Sequence, residues 1–98
     1  MANGECQLNN LDDLREYVYE TLCRHESLVH GAFRMTEQIL IRSGRPCGMH
    51  FSLHGPRAVL FSAIWETSTS SILFYDSTGR RFQKTQLVTA PELELAAA

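Results

Sequence analysis

The hydrophobic residues of this chain follow two different periods, and the first of them is helical. From residue 11 to residue 26, apolar side chains and one histidine recur at spacings of three and four, which places them on one stripe of a helix. The stripe consists of Leu11, Leu14, Val18, Leu22 and His25. Asn10 is a typical N-cap, and Asp12 and Asp13 place negative charge in the first turn, where the helix dipole favours it. The pattern predicts a helix over residues 11–26.

After a connection at residues 27–34, the period changes to two. Alternation of hydrophobic and polar residues is typical of strands, and here it predicts five of them. The predicted strands cover residues 36–43, 47–54, 57–66, 71–76 and 80–88. Short turns containing glycine and proline separate the strands, so we expect successive strands to be antiparallel neighbours.

The order of these elements predicts an α+β fold, in which one N-terminal helix packs on a roughly five-stranded antiparallel meander sheet. We expect a single α+β domain over residues 10–90, with a flexible N-terminus at 1–9 and a flexible C-terminal tail at 91–98. This layout resembles that of cystatin-like and helix-grip proteins, and such folds host many functions.

The predicted sheet has hydrophobic side chains on both of its faces. A helix of about 16 residues is about 24 Å long, so it can cover only one face. If it covers Met49, Phe51 and Leu53, the opposite face keeps a second hydrophobic set, and a patch of this kind usually marks an interface. That set is Leu40, Leu60, Ile64, Leu73 and Tyr75. The simplest cover for the patch is a second copy of the chain, which predicts a homodimer.

Composition excludes several classes of protein. The chain has 98 residues, of which 44% are hydrophobic and 20% charged, so it is neither disordered nor rich in disulfides. It has no apolar run of about 18 residues for a membrane helix, and it does not begin like a signal peptide, so we expect a cytoplasmic protein. The three cysteines, Cys6, Cys23 and Cys47, are then expected to be reduced thiols.

The net charge of −2 conceals an asymmetry along the chain. Residues 1–26 hold six acidic and two basic residues, whereas residues 27–90 hold three acidic and seven basic residues. The predicted helix is therefore acidic and the predicted sheet is basic. A split of this kind bears on association with partners rather than on the fold.

Residues that suit zinc occur at Cys47, His50 and His54, but their spacing argues against a shared metal ion. In a strand Cys47 points away from both histidines, and the two histidines are separated by about 13 Å. We therefore expect no metal and no cofactor. A ligand pocket or enzyme site around His50, Ser52 and His54 remains a weaker alternative, because the chain has no nucleophile elbow, no phosphate loop and no evident catalytic carboxylate pair.

Basic residues on the later strands and turns suggest a different function. Arg57, Arg80, Arg81 and Lys84 lie close in sequence to aromatic residues such as Tyr75, and sheets that bind single-stranded RNA combine these residue types. The pI near 6.0 argues against this interpretation, since nucleic-acid-binding domains usually have a pI above about 9. RNA or phosphate binding is therefore a second hypothesis, behind self-association without catalysis.

Residues distributed from about 11 to 88 resemble a group of short uncharacterised bacterial proteins, found notably in planctomycetes. The resemblance is carried by Leu14, Tyr17, Val18, Thr21, Leu22 and Cys23, by His54-Gly55-Pro56-Arg57, and by Phe74-Tyr75, Gly79, Arg81, Phe82 and Lys84-Thr85. It implies a small, free-standing bacterial protein. It implies no activity and no functional residues.

Overall fold

A computed structural model describes residues 2–93, which form an α+β fold with one helix packed on one sheet. The elements in chain order are β1 (Ala2–Gln7), α1 (Leu11–His25), β2 (Arg34–Arg42), β3 (Arg45–His54), a 3-10 turn (Pro56–Ala58), β4 (Leu60–Glu66), β5 (Ser71–Tyr75) and β6 (Arg81–Thr89). The six strands lie in the order β1-β6-β5-β4-β3-β2. Within residues 2–93, no helix is long and apolar enough to span a membrane.

Helix α1 begins where the sequence predicts. The Asn10 side chain accepts a hydrogen bond of 2.8 Å from the Asp13 amide, which satisfies one of the free donors of the first turn. Leu14, Val18 and Leu22 are completely buried against the sheet, as expected for the stripe. The helix therefore lies over a single face of the sheet.

Strands β2 to β6 form the predicted meander, in which each strand is antiparallel to the next. Because strand directions alternate, the connections at 26–33, 55–59 and 76–80 lie together at one end of the sheet, which we call the upper end. The hydrophobic core fills the space between α1 and the facing side chains of the sheet. Its fully buried sheet residues are Phe51, Leu53, Ala63, Trp65, Ile72 and Phe74.

The segments predicted as flexible ends, residues 1–9 and 91–98, contain described residues that take part in the fold. Ala2–Gln7 forms β1, which pairs in parallel with β6, and the amide of buried Leu8 donates to the Thr89 carbonyl oxygen at 2.8 Å. Pro91 is buried and Leu93 packs against the core, whereas residues 94–98 lie outside the described residues. Strand β1 covers what would otherwise be the unpaired edge of β6, whereas the described C-terminal residues are held by packing against the core.

Two predicted strand boundaries also shift, because of residues with positive φ. Ser43 and Gly44 have φ of 52° and 75°, which suits a two-residue hairpin loop and lets β3 begin at Arg45 instead of residue 47. Arg57 and Ala58 both have φ of 60°, so the chain cannot be extended there. Strand β4 consequently begins at Leu60 rather than at residue 57.

Candidate interaction surface

The sheet face opposite α1 carries the second hydrophobic set, and we call it the open face. On β4, buried Ala63 and Trp65 face the helix, so Ile64 between them points the other way. Leu73 lies directly across from Ile64 on β5, and Leu60 is 48% exposed at the upper end of β4. All five residues predicted for an interface lie on this face: Leu40, Leu60, Ile64, Leu73 and Tyr75.

Ile64 and Leu73 form the centre of the open face. Each is half-buried by its neighbours on the sheet, and polar residues continue the same row on both sides. His50 pairs with Ile64 on one side, and Lys84 pairs with Leu73 on the other. The open face thus has an aliphatic centre and a polar margin.

The pocket candidates His50, Ser52 and His54 lie on the same face as the interface candidates. They occupy alternate positions of β3, and Ser52 pairs with Ser62 across the sheet. The His54 ring nitrogen Nε2 lies 3.0 Å from the Thr36 hydroxyl. Neither histidine lines the grooves that border α1. The structure brings these residues together in a row on the open face.

Cys47 is separated from the two histidines. Its thiol lies 3.4 Å from the Leu40 carbonyl oxygen, near the β2–β3 hairpin. Residues 2–93 contain no group of three or more His, Cys, Asp or Glu side chains that could hold a metal ion. Cys23 is buried in the core, and this burial raises the pKa of its thiol.

The basic candidates gather at the upper end of the sheet. Arg57 lies in the β3–β4 connection, Arg80 in the β5–β6 connection, and Arg81 begins β6. Arg34 joins them at the start of β2, a position that the sequence interpretation missed. In a meander, every second connection lies at the same end of the sheet, and this rule could have placed Arg34 near Arg57 and Arg80 from the sequence. Lys84 is two rungs lower on the open face, beside Leu73.

The carboxylates around these basic residues are few. Arg34, Arg57, Arg80 and Arg81 form no salt bridge with any other described residue. Asp76 is the nearby acid, and its carboxylate accepts hydrogen bonds from the Thr78 hydroxyl at 2.6 Å and from the amides of Thr78 and Arg80. The Thr78 hydroxyl is the main reason that the pKa of Asp76 lies below its usual range.

The opposite, lower end of the open face carries charges of both signs. Glu66 ends β4, and Glu5 of β1 pairs with Gln86 of β6. Both carboxylates belong to the face that carries Ile64, because they occupy the same alternation along the strands. Arg42 follows the alternation of Leu40 on β2 and pairs with Arg45, so the lower end also carries two basic residues, whereas the upper end is mainly basic.

A groove of about 560 Å³ lies on the helix side, between α1 and the edge strand β2. Tyr19, Phe33 and Met35 form its apolar wall and pack against the core. The Tyr19 hydroxyl donates to the Phe33 carbonyl oxygen and accepts from the Gly31 amide at 3.1 Å, which holds the 26–33 connection against the helix. The sequence interpretation did not identify this groove.

Charged side chains line the same groove. The Arg15 guanidinium binds both carboxylate oxygens of Glu37, at 2.7 and 2.8 Å, and Asp12 at 3.0 Å. The Glu37 hydrogen bond is the main cause of the raised pKa of Arg15. Glu16 also lines the groove and forms no salt bridge within residues 2–93. Three carboxylates, one guanidinium and the imidazole of His30 thus line the groove.

Comparison of the chain with protein-family models, with curated proteins and with solved structures gives no match. The chain's function is therefore inferred from its own residues.

Proposed function

We propose that this chain is a non-catalytic interaction module that pairs with a second copy of itself through the open face. The observation that carries the proposal is the hydrophobic centre around Ile64 and Leu73, which α1 does not cover. A hydrophobic centre with a polar margin is the usual anatomy of a protein interface.

The size of the open face suits a dimer. Six strands, about 4.8 Å apart and about 24 Å long, form a face of roughly 700 Å². A standard protein interface buries about 800 Å² on each partner, so one full face meets most of that requirement. Two sheets stacked in this way pack about 10 Å apart, as in a β-sandwich.

One orientation of the second copy brings opposite charges on β6 and β1 together. A two-fold axis that lies between the faces, perpendicular to the strands, brings the upper end of one copy against the lower end of the other. Arg81 then approaches Glu5 of the second copy, and the reciprocal contact forms at the other end.

Sedimentation velocity on charge variants tests the proposal. Ile64→Glu and Leu60→Glu each place a carboxylate on the open face, and Val29→Glu makes the same kind of change at a loop residue that is 71% exposed. We expect the original protein and Val29→Glu to sediment as dimers, and both open-face variants to sediment as folded monomers. Circular dichroism checks that each variant is folded.

Two results would count against self-association. One is an original protein that stays monomeric at high micromolar concentration. The other is an Ile64→Glu variant that is folded and still dimeric, because a buried, unpaired carboxylate cannot be tolerated at the centre of an interface.

The gathering of arginines at the upper end supports a second candidate function, which is binding of single-stranded RNA. Arg57, Arg80 and Arg81 offer phosphate contacts, while Tyr75 is half-exposed and pairs with Arg81 across the sheet. Binding of this kind weakens steeply as salt concentration rises. An Arg57→Glu/Arg80→Glu double variant should lose RNA binding at low salt and remain a dimer. Unchanged RNA mobility with the original protein would reject this function.

A further inference from the structure

The unpaired edge of β2 and the groove beside it form a second surface, distinct from the open face. Strand β2 is nine residues long and lies last in the sheet, so among residues 2–93 it has a neighbour on one side only. Every second residue of such a strand directs its backbone N–H and C=O away from the sheet, where another extended chain can pair with it.

We propose that this edge binds an extended peptide of another protein, in which a lysine or arginine is flanked two residues away on each side by a hydrophobic residue. The helix-side residues of β2 are Met35, Glu37 and Ile39 in succession. A strand added to β2 places its own alternate side chains beside these three, and cross-strand neighbours of complementary type stabilise the pair. Because this pattern of residues is the same in both directions, it suits a peptide that runs parallel or antiparallel to β2.

The charge of the groove determines the central residue of the peptide. Asp12, Glu16 and Glu37 are balanced only by Arg15, which leaves the groove with a net negative charge. A second cation that enters beside Glu37 and Glu16 would offset one more of these carboxylates. Tyr19, Phe33 and Met35 provide the apolar contact for the side chain next to it.

A second copy of the same chain lacks the proposed peptide pattern, and two central registers of β2 with β2 are unfavourable. Two β2 strands could pair antiparallel across a two-fold axis. If the axis passes through Gln38, Arg34 of one copy lies opposite Arg42 of the other. If it passes through Glu37, the two Glu37 side chains lie opposite each other. Like charges directly opposite are destabilising in a sheet. None of the nine basic residues in the chain has hydrophobic residues both two before and two after it.

The probe is a synthetic heptapeptide, Thr-Leu-Thr-Lys-Thr-Val-Thr with blocked ends, titrated into ¹⁵N-labelled protein. We expect amide shifts in β2 and in the first half of α1. A matched peptide with glutamate in place of lysine should not bind. Glu16→Gln should weaken binding of the lysine peptide by about two- to fivefold, the range of exposed ion pairs. Glu20→Gln removes the same charge one turn later, outside the groove, and should leave the affinity unchanged.

Several outcomes would overturn the proposal. Absence of shifts at millimolar peptide, or equal affinity for the lysine and glutamate peptides, would remove the basis for it. So would shifts confined to the open face, or a Glu20→Gln effect as large as that of Glu16→Gln.

Discussion

On strand β5, Ile72 and Leu73 are adjacent aliphatic residues of similar size, and they meet different surroundings. Ile72 is completely buried beneath α1, whereas Leu73 is half-exposed on the open face. The same alternation holds on β4, where Trp65 is buried and Ile64 is half-exposed. Helix α1 therefore covers one face of the sheet, and the other face keeps a hydrophobic centre that the helix does not cover. Substitutions that act differently on the two faces can test this division.

The largest expected difference is between Ile72→Ala and Leu73→Ala. Ile72→Ala leaves a cavity under the helix and should lower the free energy of unfolding by about 2–5 kcal/mol. Leu73→Ala should cost less than about 1 kcal/mol in dilute, monomeric protein, because its side chain is already partly hydrated there. Urea denaturation at low concentration measures both values. Equal losses would mean that the two faces are equally covered within one chain.

Gly48→Ala tests whether the open face is also restrained by close backbone packing. A Cβ at Gly48 would lie 2.0 Å from the Trp65 carbonyl oxygen on the neighbouring strand, so β3 and β4 must separate locally. We expect a loss of about 2–3 kcal/mol, in the range of substitutions that overpack a tight site. A thermal melt that matches that of the original protein would contradict the close approach of these strands.

Asn10→Ala should destabilise helix α1, which covers one face of the sheet, without changing any residue of that face. Loss of the 2.8 Å bond to the Asp13 amide should lower stability by about 1 kcal/mol. Asn10→Asp is the matched control, since aspartate also caps a helix, and it should retain most of the stability. Chemical denaturation of the three proteins gives the comparison. Equal stability of Asn10→Ala and the original protein would show that the cap contributes nothing.

The smallest expected effect is a pH dependence of stability that arises from Asp76, in a turn outside both faces of the sheet. The pKa of Asp76 is lowered in the folded protein, chiefly by the Thr78 hydroxyl, so the ionised carboxylate stabilises the β5–β6 turn. Its contribution is complete above the usual pKa range of aspartate and is lost as the pH falls towards the lower folded value. The stability advantage over Asp76→Asn should therefore shrink on acidification. An advantage that grows at low pH would reverse the assigned sign.

Local sequence patterns predicted helix α1 and the β2–β6 meander because these elements bury one regular stripe or alternate side chains. The period of two also placed Leu60, Ile64, Leu73 and Tyr75 on one face, since register follows from alternation. Strand β1 was missed because its alternating non-polar residues, Ala2, Gly4 and Cys6, are small, and because its partner β6 lies about 80 residues away in sequence. A parallel pairing over such a distance leaves no local signal.

The surface features depended on contacts between distant segments. Arg57 and Arg80 were identified separately, but their common end follows only from strand directions. The bidentate contact of Arg15 with Glu37 joins residues 22 positions apart on different elements. The sequence separations of these pairs match neither the helical period nor the strand period. The sequence pattern alone therefore does not reveal the groove between α1 and β2.

A dilution series followed by ¹⁵N–¹H NMR tests the central claim most directly, because it reports both self-association and the face involved. Between millimolar and micromolar concentration, the account predicts shifts of the amides of Ser62, Ile64, Leu73 and Lys84, while amides on the outer surface of α1 stay constant. Spectra that do not change with concentration, or changes confined to α1 and its groove, would contradict self-association through the open face.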